Sequence, residues 1–324
     1  MTCLAAIGSL GILGAILVGG LRAEPISLAA FAAFNAAFGQ FIASVSAFGL
    51  ALSTISIAIP LASRALPVFS TPPEIKTNAK DPGRLTGRIA VNHLSFRYQD
   101  DGPMILDDVS FSAEPGNFIA LVGPSGAGKL TVLRLLLGLE RPVSGTVFYD
   151  AHDLSDLDLR FVRQQIGTVM QSVGVLPGSI YDNIAGARML SDEVVMAAAE
   201  QASLADDIKG FPMGLDTYVS EGGSTLSGGQ AQRLMIARAF VGNPAMVFLD
   251  EATSALDNHA QYAVQESLKN MGVTRVVIAH RLSTKRNADK ILVFEAGRIV
   301  ETGTYEHLMD QRGAFYRLAK RQLI

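Results

Sequence analysis

The sequence of 324 residues lacks several features that would each point to a particular class of protein. With one cysteine, Cys3, the chain cannot form an internal disulfide framework, which fits a catalytic domain in a reducing compartment. The net charge of −3 provides no excess of positive charge, so the composition gives no indication of a nucleic-acid partner. The sequence also contains no internal repeat and no low-complexity tail.

Charged side chains are missing from two long N-terminal stretches, residues 1–21 and residues 26–63. We predict one transmembrane helix in each, at about 4–21 and 26–63, because an apolar helix of about 20 residues crosses a hydrocarbon core of ~30 Å. A cleaved signal peptide is a weaker alternative, since such a peptide begins with basic residues and no Lys or Arg precedes Arg22. A buried helical hairpin is a further alternative.

The rest of the chain is predicted to be a linker followed by a soluble α/β domain. Residues 70–87, rich in Pro, Gly, Thr and Lys, would join a partial transmembrane domain (1–69) to a domain at 88–324. The basic residues that begin at Lys76 place this side of the membrane in the cytoplasm by the positive-inside rule. In the soluble domain, short apolar runs alternate with helical patterns, which indicates a sheet with a parallel core. The predicted strands are 88–98, 109–112, 118–122, 166–170, 246–249, 275–279 and 291–294, and the predicted helices are 129–137, 192–203, 228–240, 260–270 and two short ones after Gly303.

A glycine-rich loop follows the apolar run 118–122 and precedes a predicted helix. Its sequence is Gly123-Pro124-Ser125-Gly126-Ala127-Gly128-Lys129-Leu130-Thr131. Glycines let successive backbone N–H groups point at an anion at a helix N-terminus, and the Lys129 ammonium would contact the β- and γ-phosphates of a nucleotide. An ordinary glycine turn is the alternative. The strand before the loop and the helix after it favour a phosphate loop.

A second apolar run, 246–249, ends in the carboxylates Asp250 and Glu251. Asp250 is placed to sit near a metal ion, and Glu251 is placed to polarise an attacking water. An acidic pair at a strand end could instead cap the following helix. Together with the upstream phosphate loop, the pair indicates nucleotide hydrolysis.

The order of these motifs resembles the nucleotide-binding domain of ABC exporters. The resemblance rests on the phosphate loop, Gln171, residues 226–230, the Asp250-Glu251 pair, residues 254–257 and His280, and it covers residues 84–324. It implies a P-loop ABC ATPase domain of the α/β class that binds ATP and Mg²⁺, preceded by an all-α transmembrane segment of two helices. It also implies that two such domains enclose two ATP molecules, so that the active form is a dimer.

The resemblance assigns a role to each motif residue. Tyr98 would stack on adenine, Gln171 would link the metal and the attacking water to the membrane part, and His280 would contact the γ-phosphate. A core Tyr98 and a structural His280 are the alternatives. Ser227, Gly228 and Gly229 would hold the γ-phosphate of ATP bound to the opposite subunit. The implied sets are catalytic Glu251, His280 and Gln171; metal-binding Gln171 and Asp250; and nucleotide-binding Tyr98, Gly123, Pro124, Ser125, Gly126, Ala127, Gly128, Lys129, Leu130, Thr131, Ser227, Gly228, Gly229, Gln230 and Asp257.

Finer similarities concern the type of exporter. Residues 221–224 are similar to the exporter segment that touches the coupling helices, and the two apolar spans resemble the last two of an exporter's six helices. Residues 176–184 and 220–230 most resemble bacteriocin exporters associated with nitrile-hydratase-like leader peptides. This resemblance implies a multi-pass protein of the inner (plasma) membrane that is truncated at its N-terminus. Its partners would be a second ABC subunit, identical or not, and a transported peptide.

Two positions depart from the family pattern. Leu130 stands where the family has a Ser or Thr that binds magnesium, and Ala231 stands where it usually has a basic residue. Leucine offers no oxygen, whereas Mg²⁺ requires hard oxygen donors, so we expect weakened Mg²⁺ binding and slow hydrolysis. Thr131 cannot take over, because adjacent helical side chains diverge by about 100°.

Four interpretations follow from these observations. The predicted one is an ATP-driven exporter subunit. A nucleotide-binding but hydrolysis-poor partner in a heterodimer is the second, although the intact Glu251 and the intact residues 226–230, the signature loop, argue against it. A decayed transporter gene is the third, with Leu130 and the missing helices as its symptoms. A soluble ABC ATPase that acts on DNA or ribosomes is the fourth, and the apolar spans argue against it.

Overall fold

The computed structural model describes residues 2–20, 27–71, 74, 79–171, 174–220, 225–250, 256–279 and 281–320. It consists of two compact units, Met1–Glu74 and Ile75–Ile324. The first unit is helical and the second is a mixed α/β domain.

The first unit contains two helices, α1 (Thr2–Gly20) and α2 (Leu28–Ser70). They pack where Gly11 of α1 faces Phe38 of α2, and a Cβ atom at Gly11 would lie only 2.6 Å from the aromatic ring. Among the described residues, α2 is the helix with the length and apolar composition to cross a bilayer, and α1 contributes the shorter apolar segment Gly8–Gly20. Of the two predicted spans, the second is therefore the better supported.

Helix α2 is longer than the predicted span. The Ser27 hydroxyl caps its N-terminus by accepting a hydrogen bond from the backbone N–H of Ala30 at 3.2 Å. The helix continues past residue 63 to Ser70 and includes Pro60 and Pro67. At 1.5 Å per residue its 43 residues extend over roughly 65 Å, about twice a hydrocarbon core. In a membrane, part of α2 would therefore project into water.

The second unit is built from short strands and helices. Each predicted strand and helix is present within a few residues of its expected bounds, whereas β4, β5, β7, β8, β12, α4, α5, α7 and α10 in the following list were not predicted. The strands are β1 (Ile89–Phe96), β2 (Leu106–Ala113), β3 (Phe118–Val122), β4 (Ser144–Tyr149), β5 (His152–Asp153), β6 (Ile166–Val169), β7 (Gly178–Ser179), β8 (Tyr218–Val219), β9 (Met246–Asp250), β10 (Thr274–Ile278), β11 (Lys290–Glu295) and β12 (Arg298–Gly303). The helices are α3 (Lys129–Leu136), α4 (Leu159–Gln164), α5 (Ile180–Ala185), α6 (Asp192–Gln201), α7 (Ala205–Gly210), α8 (Gly228–Phe240), α9 (Asn258–Asn270), α10 (Leu282–Arg286), α11 (Tyr305–Gln311) and α12 (Ala314–Lys320).

The main sheet has six strands in the order β12-β11-β3-β10-β9-β6. The strands from β11 to β6 are parallel, and β12 is an antiparallel edge strand. The predicted parallel core is therefore confirmed. A second, antiparallel sheet has the order β2-β1-β4-β5, and β7 pairs with β8.

Two hydrophobic cores lie on the two faces of the main sheet. Successive side chains of β3 alternate between them: Phe118 and Ala120 belong to one core, and Ile119 and Leu121 to the other. The first core contains side chains of α6, α8 and α9, and the second contains side chains of α3 and the antiparallel sheet. Because both faces are covered, the central strands β3 and β9 are buried at every position and consist almost entirely of apolar residues.

The described part of the predicted linker, residues 79–87, is bonded to the α/β unit. The backbone N–H of Lys80 donates to the carbonyl of Asp156 at 2.9 Å. Leu85 is 3% exposed, and its backbone N–H donates to the side-chain oxygen of Gln165 at 2.8 Å. Hydrogen bonds therefore fix residues 79–87 to the α/β domain, so this part of the predicted linker is not a flexible connection.

Candidate functional site

The predicted site residues lie at the carboxyl ends of neighbouring parallel strands. In the sheet, β10 lies between β3 and β9, and β6 pairs with the other side of β9. The glycine loop leaves the end of β3, Asp250 is the last residue of β9, and Gln171 follows β6. These three groups are therefore brought to one edge of the sheet, where open α/β folds bind their ligands.

Two glycines of the loop occupy positions where another residue would not fit. Gly123 has a φ of 151°, and a Cβ atom there would lie 2.3 Å from the carbonyl oxygen of Phe294. Gly128 has a φ of 95°, and a Cβ atom there would lie 2.5 Å from a methyl carbon of Leu106. The glycines let the chain turn tightly into α3, whose first backbone N–H groups have no intrahelical partner and attract anions.

The Lys129 side chain bends back over the loop that precedes it. Its ammonium nitrogen donates to the carbonyl oxygens of Gly123 at 2.9 Å and Pro124 at 2.7 Å. The residue is 7% exposed. An ammonium group has three N–H donors that can be redirected to phosphate oxygens of a bound anion. The loop and its lysine therefore form a cradle suited to a nucleotide polyphosphate.

Leu130 and Thr131 occupy successive positions of α3 but face different surroundings. Leu130 is 43% exposed and offers no oxygen, whereas Thr131 is buried. The Thr131 hydroxyl lies 3.3 Å from the hydroxyl of Tyr98, so it is directed toward that ring. Thr131 therefore does not supply the Mg²⁺-binding oxygen that Leu130 lacks.

Tyr98 is half exposed at the edge of the same site. It contacts Phe96 edge to face at a centroid distance of 4.8 Å, and the guanidinium carbon of Arg134 lies 5.8 Å from its ring centroid. With 51% of its surface exposed, Tyr98 is not a core residue, and its predicted role in stacking on adenine stays a prediction. Its aromatic ring is available for stacking on a planar base.

The two aspartates that the sequence singled out have different structural positions. Asp250 is buried at the end of β9, where it pairs in register with Ile278 of β10. Asp257 caps the next helix, α9, by accepting a hydrogen bond from the backbone N–H of Ala260 at 2.8 Å. Since Asp257 supplies that cap, Asp250 is not required for it.

The signature loop forms the N-terminus of helix α8. The Ser227 hydroxyl accepts a hydrogen bond from the backbone N–H of Gln230 at 3.2 Å, and the Gln230 side chain accepts one from Ser227 N–H at 2.9 Å. The Gln230 amide also donates to Asp207 at 2.7 Å, and Arg233 forms an ion pair with the same carboxylate at 2.7 Å. Ala231 packs against the core. The loop is therefore rigidly positioned at a helix N-terminus that can bind an anion.

Several predicted residues fall outside the described part of the structure. These are Glu251, residues 254 and 255 of the motif 254–257, His280 and the segment 221–224. Their predicted roles remain predictions. Nothing in the sequence indicated that Arg134 and Asp207 belong to the site. Arg134 contacts Tyr98 across 36 positions of sequence, and Asp207 contacts Gln230 across 23 positions.

Nor did the sequence indicate that Lys285 is buried. It is 3% exposed on the short helix α10 that follows β10. Burial and the nearby Lys129 ammonium together lower its pKa to about 8. A basic residue after a strand is usually a surface residue, so only the tertiary structure identifies it as buried.

Known proteins resemble the part of the chain that contains these residues. The ABC transporter family matches residues 106–254, which include the glycine loop, the signature loop and Asp250. This region is an ABC transporter ATPase domain. The chain is 42% identical to the toxin RTX-III translocation ATP-binding protein of Actinobacillus pleuropneumoniae over 259 residues, which cover 79% of the chain and 36% of that protein. It is 42% identical to the ATP-dependent lipid A-core flippase of Ralstonia nicotianae over 261 residues, which cover 79% of the chain and 44% of that protein.

A solved structure matches both units of the chain. It is a bacterial Atm1-family ABC exporter with ATP bound, with a TM-score of 0.77 and 32% identity. The match covers 99% of this chain and 57% of that one. The ABC ATPase domain is therefore preceded by a helical segment like that of an exporter. The chain spans roughly a third to somewhat over half the length of these relatives.

Proposed function

We propose that this chain is the ATP-binding and ATP-hydrolysing subunit of an ABC exporter and that its hydrolysis is impaired by Leu130. The observation that carries the proposal is the meeting of the phosphate loop, Asp250 and Gln171 at one edge of the sheet. This arrangement lies in a domain that matches the ABC transporter family. Half-exposed Tyr98 at the same edge supplies a surface for the adenine base.

Each group in the site has a role in the proposed reaction. The cradle formed by residues 123–131 binds the phosphates, and Lys129 neutralises part of their charge. Glu251 accepts a proton from the attacking water, and His280 and Gln171 orient the γ-phosphate and that water. The signature loop, residues 226–230, binds ATP held by the opposite subunit, so we propose a dimer as the active form.

The donor set fits Mg²⁺ incompletely. A bound Mg²⁺ ion would neutralise phosphate charge as it develops, and Asp250 and Gln171 would hold it through oxygen atoms. Leu130 offers no oxygen, and no group of three or more His, Cys, Asp and Glu side chains that could hold a metal ion occurs in the described ranges. Without an oxygen ligand at position 130, the site binds Mg²⁺ more weakly. For this reason we propose that ATP hydrolysis is slow.

The membrane location rests on the first unit. We propose that α1 and α2 both cross the inner (plasma) membrane and that the ATPase domain lies in the cytoplasm. The apolar composition of α2 and the match to an ABC exporter over 99% of the chain support this.

We propose a peptide, of the bacteriocin type, as the transported substrate. The chain resembles both a toxin translocation protein and lipid A-core flippases, so the proposal of a peptide rests on the resemblance of residues 176–184 and 220–230 to bacteriocin exporters.

A nucleotide-binding partner with little hydrolysis is the second candidate, and Leu130 is the observation that favours it. In that case the chain would pair with a different, active subunit. The two candidates share ATP binding and differ in turnover by the chain itself.

The test uses the full chain in lipid nanodiscs, with binding of a fluorescent ATP analogue and phosphate release as the two measurements. We expect binding by the unaltered chain and a loss of at least about 10-fold in Lys129→Met, because a charged contact to phosphate is removed. Lys269→Met, which removes an exposed positive charge from the end of α9, is the matched control and should bind normally. Equal binding by the unaltered chain and Lys129→Met would contradict the proposed function.

A further inference from the structure

The half-exposed ring of Tyr98 contacts two residues of α3, the helix into which the phosphate loop leads. The Tyr98 hydroxyl lies 3.3 Å from the Thr131 hydroxyl and accepts a hydrogen bond from Nη1 of Arg134 at 3.5 Å. The guanidinium carbon of Arg134 lies 5.8 Å from the ring centroid, within the range of a cation–π contact. Since Thr131 and Arg134 are three positions apart, they share one face of the helix. Tyr98 therefore rests on this face of α3.

Arg134 is oriented by an acidic residue beyond the end of α3. The carbonyl of Arg134 accepts a hydrogen bond from the backbone N–H of Leu139 at 2.9 Å, which folds the chain back against the last turn of the helix. Gly138 permits this turn with a φ of 64°. Nη2 of the Arg134 guanidinium then forms an ion pair with Glu140 at 3.5 Å. Because one nitrogen faces Glu140 and another faces Tyr98, the guanidinium connects the turn to the ring.

Helix α3 also connects the ring to the phosphate loop. The helix begins at Lys129, whose ammonium donates to the carbonyls of the loop. Arg134 lies five residues further on, roughly 8 Å along the helix axis at 1.5 Å per residue. A single helix therefore sets the spacing between a cation that can bind phosphate and an aromatic ring that can stack on a base.

A ring that is already held in place stacks on a base more favourably than a freely rotating one. Tyr98 is 51% exposed, and immobilising such a side chain on binding costs free energy. Contacts with Thr131, with Arg134 and with the edge of Phe96 restrict the ring before any ligand binds. We propose that Arg134, oriented by Glu140, is a positioning residue that fixes Tyr98 for stacking on the base of a nucleoside triphosphate. This inference rests on the proposed ATP-binding function.

The experiment measures the affinities of the full chain in lipid nanodiscs for ATP and for inorganic tripolyphosphate, which has no base, by titration calorimetry. We expect Arg134→Gln to weaken ATP binding by about 2- to 5-fold, the size of an exposed cation–π contact, and to leave tripolyphosphate binding unchanged. Arg160→Gln is the matched control, because Arg160 also lies over an aromatic ring, that of Phe161 at 6.0 Å, and pairs with a carboxylate, that of Asp158 at 2.7 Å. It lies on α4, which leads into the amino end of β6 and not into the site, so both affinities should stay the same.

A second variant tests whether Arg134 acts through the aromatic ring. Tyr98→Ala should weaken ATP binding, and the addition of Arg134→Gln should weaken it no further, because the ring that Arg134 positions is already gone. A further loss in the double variant would show that Arg134 attracts the phosphates directly and would overturn the inference. Normal ATP binding by Tyr98→Ala would overturn it as well.

The two ligands separate this inference from the proposed function. If the unaltered chain binds neither ATP nor tripolyphosphate, both are overturned. If the unaltered chain and Arg134→Gln bind ATP equally, the inference is overturned and the proposed function stands. If Arg134→Gln weakens the binding of both ligands equally, Arg134 does not act on the base, and again only the inference is overturned. Unchanged binding of tripolyphosphate also establishes that Arg134→Gln is folded.

Discussion

Replacing Leu130 by serine is expected to restore a ligand for Mg²⁺ and to accelerate ATP hydrolysis. Leu130 lies at the start of α3 and is 43% exposed, so the substitution opens no cavity in either core. A polar contact to a charged centre contributes about 1.5–3 kcal/mol, which corresponds to a factor of about 10 to 150. We therefore expect Leu130→Ser to lower the Mg²⁺ concentration for half-maximal turnover by about 10-fold or more.

The assay is phosphate release by the full chain in lipid nanodiscs across a series of Mg²⁺ concentrations. Leu130→Ala is the matched control, because it removes the isobutyl group without adding an oxygen. We expect its Mg²⁺ dependence to stay within about twofold of the unaltered chain if ligation is the cause. Thermal unfolding should change little in either variant, since exposed substitutions away from special features usually alter stability by less than about 0.5 kcal/mol.

Two results would refute this reasoning. Equal Mg²⁺ dependence and equal turnover in the unaltered chain and in Leu130→Ser would show that the missing oxygen has no effect. Equal acceleration in Leu130→Ala and Leu130→Ser would show that the bulk of leucine, and not its lack of oxygen, is the obstacle. Only a gain confined to the serine variant supports the proposed cause.

Two further predictions concern the stability of the ATPase domain. Gly167→Ala places a Cβ atom 2.3 Å from the carbonyl oxygen of Ala239, so β6 and α8 must separate, and chemical denaturation should show a loss of about 1–3 kcal/mol. The second concerns Lys285, whose pKa of about 8 in the folded chain lies below its ordinary value of 10.5. The unfolded chain therefore binds more protons between these values, and unfolding free energy should rise with pH across this window by up to ~3 kcal/mol. Lys285→Met should lose this rise, and an unchanged pH profile in the variant would contradict the assignment.

The framework of the fold was predictable because its strands are short apolar runs bounded by turns. Strand β3 is buried at every position, so its sequence is apolar throughout. Strand β12 was missed because it is an edge strand whose residues alternate between partly buried and exposed, with charged residues at 298 and 301. Helix α5 was missed because six residues are too few to show a helical period.

The site was predictable where a motif lies within a few consecutive residues. The phosphate loop and its lysine belong to this class, because the two carbonyls to which the Lys129 ammonium donates lie six and five positions away. Lys285 belongs to the other class. Its burial depends on β10 lying between β3 and β9, which the sequence around Lys285 does not encode. The same holds for Asp207, which reaches Gln230 across 23 positions of sequence.

Leu130 affects the binding of ATP and its hydrolysis to different degrees. The glycine loop and the Lys129 ammonium supply a fixed charge and hydrogen-bond donors, which are sufficient to hold a bound polyphosphate. They cannot replace the oxygen-coordinated ion that neutralises charge developing during phosphoryl transfer. A site without an oxygen at position 130 should therefore retain ATP binding more readily than turnover. That separation favours a subunit that closes on ATP and reopens slowly, and the ratio of ATP affinity to turnover would distinguish it from an efficient exporter ATPase.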